Sequence, residues 1–489
     1  MRQNKVGEPR SFRLFGHFSL AILVCLSSLS AGTFEDFKRS QAESFTKYKD
    51  ERDNAFNNYL QEEFKAYKAY KSAALYEEPK PKHIPSATPK KVKGVGPKVH
   101  IQIKPEVKEK EVPSKVVVAQ QNPKEAKKDI FVDFFGSKVG FDIPKGLKNA
   151  KYFPQNQKGI IHFFDAAASS QYNDLLSEIS LVTKEMNLND WGIYLLVNKL
   201  SSKVYTNEDE AKLLSWFLFN KLGYAVKVGL SGKHIVLMHY SKKIIYSTPN
   251  YTFANKKFYV IANYAKGNVG RLYSYEQDYP EANKALDLSL RSLPNFTQNV
   301  KTKTLNFEQF KKKYELEFEY NKNLIDFMAT YPQADYATYF NAPVENETYK
   351  SLAKGLKQYV DSKHISDAMN FVLHFVQNAF IYERDDEQFG REKVMFAEET
   401  LYYDKSDCED RAVLYAYLVK ELFGISVIGV KYKDHMATAL YVPMEGDAIK
   451  ENGKKFVIAD PTYINASIGQ SMPKYKSIRP ESFIVVRNN

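Results

Sequence analysis

Cysteine is nearly absent: the chain has two in 489 residues. That excludes a disulfide scaffold and a cysteine-rich zinc module. No apolar run after the first thirty residues approaches the roughly 20 residues a spanning helix needs, so no transmembrane span is expected beyond the N-terminal leader. Glycine is modest at 22 and forms no phosphate-cradling loop. His234 and His239 fall in one β-rich run at a spacing that sends them to opposite faces, so they make no metal site. No metal and no other cofactor is expected. A basic surplus on the folded parts is also missing. The net charge of +12 arises from residues 1–13, which contribute +3, and from 79–128, where thirteen lysines face four glutamates. The remainder is neutral, which argues against nucleic acid as a partner.

What is present divides the chain into segments. Residues 1–32 read as an export signal: a basic start, the apolar stretch Leu20–Leu26, then small residues. The expected location is therefore periplasmic or extracellular, in or near the cell envelope, with an uncleaved anchor as the alternative. Cleavage would leave Cys408 as the single thiol. Residues 33–76 carry aromatic pairs at Phe34/Phe37, Phe45/Tyr48, Phe56/Tyr59 and Tyr67/Tyr70, each eleven residues after the last. Eleven residues make three helical turns, so an amphipathic helix is expected across the whole segment, packing on protein or self-associating. Residues 77–128 hold eight of the twenty prolines with the thirteen lysines, which reads as a disordered, stiffened Pro/Lys linker that builds no core.

The chemistry-bearing stretch runs from Lys405 to Gly424. Apolar residues recur at helical spacing from Ala412, Asp407 suits the N-cap, and Gly424 suits the stop. Cys408 then lies in the first turn, where the helix dipole is expected to lower its pKa. Its neighbours Asp407, Glu409, Asp410 and Arg411 do not read as a core. Two β-rich runs follow, Ile425–Tyr432 and His435–Val442, and a third at Lys455–Asp460. The stretches Asp407-Cys408-Glu-Asp-Arg-Ala412, Asp434-His435-Met-Ala-Thr438 and Ile458-Ala-Asp460-Pro-Thr-Tyr463 resemble, in order, the motifs of the transglutaminase-like branch of the papain-like cysteine enzymes. The resemblance covers roughly residues 346–489. It implies an α+β papain/transglutaminase-like fold with Cys408 as nucleophile, His435 as general base and acid, and Asp460 fixing the imidazole. Tyr402 and Tyr403 are candidates for a second oxyanion donor beside the Cys408 N–H.

A shift of 201 residues lays Glu208-Asp209-Glu-Ala211 on Glu409-Asp410-Arg-Ala412 and His234 on His435; a shift of 212 lays Lys242–Tyr251 on Lys454–Tyr463. Residues 129–270 therefore read as a degenerate second copy, with Asn207, His234 and Thr248 at the triad positions. Between the copies, 271–345 is a connecting region with β-strands, of which Tyr314–Tyr320 alternates as a half-buried strand. The expected function is acyl transfer on a peptide or protein carbonyl, by hydrolysis rather than amine crosslinking. The alternative is a non-catalytic envelope module that binds a protein partner with the same fold.

Overall fold

The computed structural model describes residues 34–70, 72–76, 78–89, 94–103, 128–263 and 269–487. The expected export signal and most of the second half of the Pro/Lys segment lie outside the described residues. Residues 1–51 and 52–489 separate into two units. The described part of the first, 34–51, is helical, and its Phe45 and Tyr48 are exposed. Apart from residues 34–51, everything considered below belongs to the second. Among the described residues no helix is long and apolar enough to cross a membrane.

The architecture is mixed α+β. The N-terminal helix α1 (Phe34–Glu62) ends well short of the expected residue 76. After it the chain becomes the short strand β1 (Lys65–Lys68) on the edge of a sheet. An eleven-residue repeat keeps aromatics on one side of a helix but does not oblige the helix to continue where a sheet edge offers backbone partners. Within 52–62 the stripe packs on protein. Phe56 is 1% exposed and meets Phe164, Tyr275 and Tyr279 edge-on at 5.4, 5.8 and 5.1 Å.

Two sheets follow, each under one helix that a second helix precedes and packs against. The first has α2 (Asp190–Val204) and α3 (Glu208–Lys221), then β2 (Val226–Ser231), β3 (His234–Tyr240), β4 (Asn250–Phe253), β5 (Lys256–Tyr259) and β6 (Arg271–Ser274). Its strand order is β1-β6-β2-β3-β5-β4, antiparallel throughout. A long hairpin of β7 (Val300–Gln309) and β8 (Lys312–Asn321) comes next, with Leu316 and Phe318 buried on alternate positions as the pattern at 314–320 requires. It packs on α4 (Asn346–Val360) and α5 (Ile365–Asn378).

The second sheet follows α6 (Ala397–Tyr402) and α7 (Cys408–Phe423). It contains β9 (Val427–Lys431), β10 (Met436–Leu440), β11 (Ala448–Glu451), β12 (Lys454–Ala459) and β13 (Ser482–Val485) in the order β11-β12-β10-β9-β13, again antiparallel. Four neighbours correspond between the sheets, β6-β2-β3-β5 and β13-β9-β10-β12, each under a helix that precedes its central hairpin. One detail departs from the expected copy. Residues 242–248, laid by sequence on the strand β12, form no strand; the strand beside β3 is β5. Residues 52–489 form one compact unit.

The Pro/Lys segment differs most from expectation. Its described stretches 78–89 and 94–103 pack on the C-terminal half, burying Lys80, Ala87 and Ile101. Val99 exchanges backbone hydrogen bonds with Lys363 and Ser362, and the Pro97 carbonyl accepts from Ile365 N. Proline removes donors from such a strand but leaves its carbonyls free to accept, so an extended proline-rich chain can still be held.

Candidate active site

Helix α7 is capped by Asp407 and stopped by Gly424, which adopts φ 65°. A side chain is disfavoured there and glycine is not. Its first turn is anchored by Arg411, whose guanidinium is fully buried. Nε donates to Ser406 Oγ (3.1 Å), and the terminal nitrogens donate to the carbonyls of Gln377 (3.2 Å) and Phe380 (2.8 Å) at the end of α5. The helix lies directly on β9 and β10.

His435 sits at the entrance to β10 and is 1% exposed. Its Nε2 is 2.9 Å from Asp460 Oδ2. Asp460, just after β12, is held in turn: its Oδ1 accepts from the backbone N–H groups of Thr462 (2.9 Å) and Tyr463 (3.2 Å), and its carbonyl accepts from Gln377 Nε2 (3.0 Å). A carboxylate on Nε2 selects the Nε2–H tautomer, which leaves the lone pair on Nδ1. Tyr475 stacks on the ring at 4.8 Å, with 17° between planes, and its hydroxyl donates to Asp434 Oδ1. Two of the three expected triad members, His435 and Asp460, are therefore paired.

The thiol has other partners. Cys408 is 1% exposed, and its Sγ donates to Glu409 Oε2 at 3.1 Å. Tyr76 Oη lies 3.9 Å from the sulfur and donates to the same Glu409 oxygen at 3.0 Å. No hydrogen bond joins Cys408 to His435. The helix dipole does not decide the thiol's acidity either. Burial, together with Glu409 and Asp407, pushes Cys408 well above its usual range.

The charged neighbours of Cys408 are not a solvated surface, as their composition suggests, but a buried nest. Asp407, Glu409, Asp410 and Arg411 are all fully buried. The counter-charge comes from the Pro/Lys segment. Lys80 Nζ lies 3.0 Å from Asp385, 2.9 Å from Glu392, 2.5 Å from Asp407 and 2.8 Å from Glu409. Burial opposes the ammonium, but these four carboxylates hold Lys80 well above its ordinary pKa. Burial likewise opposes the charge on Glu409, yet Lys80 and its hydrogen bonds hold that carboxyl down at about 2. One ammonium cannot neutralise the rest. Burial and mutual repulsion push Asp385 and Asp407 well up, and burial with Glu409 beside it raises Asp410 to about 7. The oxygens of Asp385, Glu392 and Glu409, and those of Asp385, Asp407 and Asp410, are close enough to hold a metal ion. The cation seated among them is Lys80.

The remaining expected residues lie elsewhere. Tyr402 packs against Tyr320 and beneath Lys322, and Tyr403 against Phe389; no hydrogen bond joins either to Cys408. The phenol beside the sulfur is that of Tyr76. In the first half, Asn207 is the N-cap of α3, accepting from the N–H groups of Asp209 and Glu210, so it stands outside the helix rather than in its first turn. His234 is 67% exposed in its side chain, with Nδ1 3.2 Å from Asp209. Thr248 is buried and donates to the Tyr246 carbonyl. No hydrogen bond joins any two of these three side chains. His239 is buried against Phe219 of the same helix α3 that His234 reaches through Asp209, and burial depresses its pKa to about 3. Sequence reasoning missed Tyr76, Lys80, Gln377 and Tyr475; only the motif-adjacent acids were visible locally. Comparison of the chain with protein-family models, curated proteins and solved structures found no match.

Proposed function

We propose that residues 346–489 form a transglutaminase-like site for cysteine-dependent acyl transfer on a peptide or amide carbonyl, in a protein exported to the cell envelope or beyond it. The observation that carries the reading is the buried His435–Asp460 pair beside the helix that begins at Cys408. A thiol is mostly protonated at neutral pH and needs a positioned base, and the base needs a fixed tautomer. In the reaction Cys408 turns from Glu409 to His435, its proton passes to Nδ1, and the thiolate adds to the carbonyl. The departing amine takes that proton back, leaving a thioester on Cys408, which water then cleaves. The Cys408 N–H, at the start of α7, is positioned to donate to the developing oxyanion. The matching order of β2, β3 and β5 with β9, β10 and β12 supports reading 129–270 as a degenerate copy of the same unit, inert because neither Asn207 nor Thr248 supplies the needed chemistry.

The test is alkylation of Cys408 by iodoacetamide near pH 6 in the full chain carrying Tyr76→Ala and Lys80→Ala, which uncovers the sulfur, followed by mass spectrometry. Reactivity above that of free cysteine, abolished by His435→Ala, is the expected result; a thiol no faster than free cysteine sinks the enzyme reading. One observation favours the second reading, a peptide-binding module without catalysis: the closed site keeps the thiol protonated against Glu409.

A further inference from the structure

Residues 75–87 cross all three segments that carry the proposed triad. Glu78 N donates to the carbonyl of Lys433, two residues before His435, at 3.4 Å. Ala87 N donates to the carbonyl of Ile464, four residues after Asp460, at 2.8 Å, and Ser86 forms a parallel bridge with Ile464. Tyr76 covers the thiol, and Tyr382 Oη donates to the Pro81 carbonyl at 2.7 Å. Between these ties Pro79 and Pro81 hold the backbone of Lys80 extended, and its side chain descends into the carboxylate nest. The nest is not filled by that ammonium. Asp385 Oδ1 and Asp407 Oδ1 are buried without a hydrogen-bond partner, so the nest holds polar groups that Lys80 does not satisfy. Burying Asp385, Asp407 and Glu409 is costly unless a cation is delivered to them, and a peptide side chain delivers one.

We propose that this strap occupies the groove as a substrate-like peptide, and that Asp385, Glu392, Asp407 and Glu409 form a subsite for the lysine side chain of an extended peptide. The proposal rests on the acyl-transfer reading for what happens to the peptide, but the pocket's preference is measurable without turnover. A lysine in the nest and a phenol over the sulfur make the strap a self-supplied occupant that a competing peptide must displace.

The experiment uses the full chain carrying Tyr76→Ala, Lys80→Ala and Cys408→Ser, which empties the nest, lifts the cover and prevents reaction. A fluorescent peptide with the sequence of residues 75–87 is titrated in by anisotropy, beside the same peptide with norleucine replacing the lysine at position 80. The lysine peptide is expected to bind at least tenfold tighter, and Asp385→Asn in the protein is expected to shrink that ratio. Equal affinities, or no saturable binding to a variant that circular dichroism reports as folded, overturn the proposal. If the triple variant is unfolded, Lys80→Met in the otherwise natural chain decides: alkylation of Cys408 at pH 8 is expected to quicken at least tenfold, and an unchanged rate overturns the proposal. A lost lysine preference with His435-dependent alkylation intact refutes the subsite alone. A retained preference with alkylation indifferent to His435→Ala refutes the acyl-transfer reading and leaves a lysine-binding groove.

Discussion

Replacing Glu409 with glutamine should make Cys408 markedly more acidic. The carboxylate is ionised in the folded chain, held at about 2 against burial by Lys80, and its Oε2 lies 3.1 Å from the sulfur. At that separation Coulomb's law sets the repulsion of a thiolate at about 1 kcal/mol in water and about 5 kcal/mol at an effective dielectric constant near 20. Lys80 retains Asp407 and Asp385 as partners, and one of them gives up its proton to stay paired with the ammonium. That partial replacement of charge favours the lower end, about 1.4 kcal/mol, which is a tenfold gain in thiolate at a given pH. The assay is the ¹³Cβ chemical shift of labelled cysteine followed with pH in a Cys25→Ser chain, so that Cys408 is the sole thiol. This reads ionisation directly and is indifferent to how well a reagent reaches a covered sulfur. A midpoint that stays put or rises in Glu409→Gln would mean that burial alone controls the thiol and that the electrostatic account of the site is wrong.

Arg411→Met removes three hydrogen bonds and leaves the carbonyls of Gln377 and Phe380 buried without a donor, so it should cost about 3–5 kcal/mol in urea unfolding; a loss under 1 kcal/mol refutes the anchoring role. Phe56→Ala should cost about 3–5 kcal/mol as a core truncation, whereas Phe45→Ser, at an exposed position, should stay within about 0.5 kcal/mol; equal effects would mean the aromatic stripe is used uniformly along α1. Asp410, Asp385 and Asp407 bind protons more tightly folded than unfolded, because burial and neighbouring carboxylates raise them. Their contribution to stability therefore falls as pH rises from the unfolded carboxyl value near 4 through about 7, where Asp410 titrates. The thermal midpoint should drop between pH 5 and pH 8, and Asp410→Asn should flatten that slope; a slope unchanged by the substitution refutes the assignment.

Local signals in the sequence were sufficient for α7 and for the strands around it. Asp407 and Gly424 mark helix ends by capping chemistry that acts within a few residues, and Tyr314–Tyr320 alternates because one face of β8 is buried. The order of Cys408, His435 and Asp460 was enough to anticipate that the last two meet. Three features were not legible, each because its partner is distant or belongs to the backbone. The run 407–411 looks solvated, since nothing near it in sequence supplies a cation; the cation is Lys80, 327 residues before Asp407. The Pro/Lys segment looks incapable of burial, because an unpartnered lysine is costly to bury, and that cost vanishes only beside the nest. Helix α1 ends at Glu62 although the aromatic repeat runs on, because β6 offers Lys65–Lys68 an antiparallel edge.

The charges of the nest tie the cover over Cys408 to the acidity of its thiol. Lys80 is what keeps Glu409 ionised, and ionised Glu409 is one of the groups that keep Cys408 protonated. With Lys80 withdrawn and no cation in its place, burial drives Glu409 toward its neutral form, as it already drives Asp385 and Asp407. A neutral Glu409 no longer repels a thiolate one residue away. Lifting residues 75–87 therefore removes the Tyr76 phenol from above the sulfur, and it removes together the Glu409 charge, which opposes the thiolate, and the Lys80 ammonium, which favours it. On the proposed reading, a peptide that inserts a lysine would restore the charge on Glu409 together with its counter-ion, and His435 would be the base left to the thiol of the occupied site. Glu409→Gln separates these effects, because it discharges the carboxylate while the rest of the strap keeps its ties to Lys433 and Ile464.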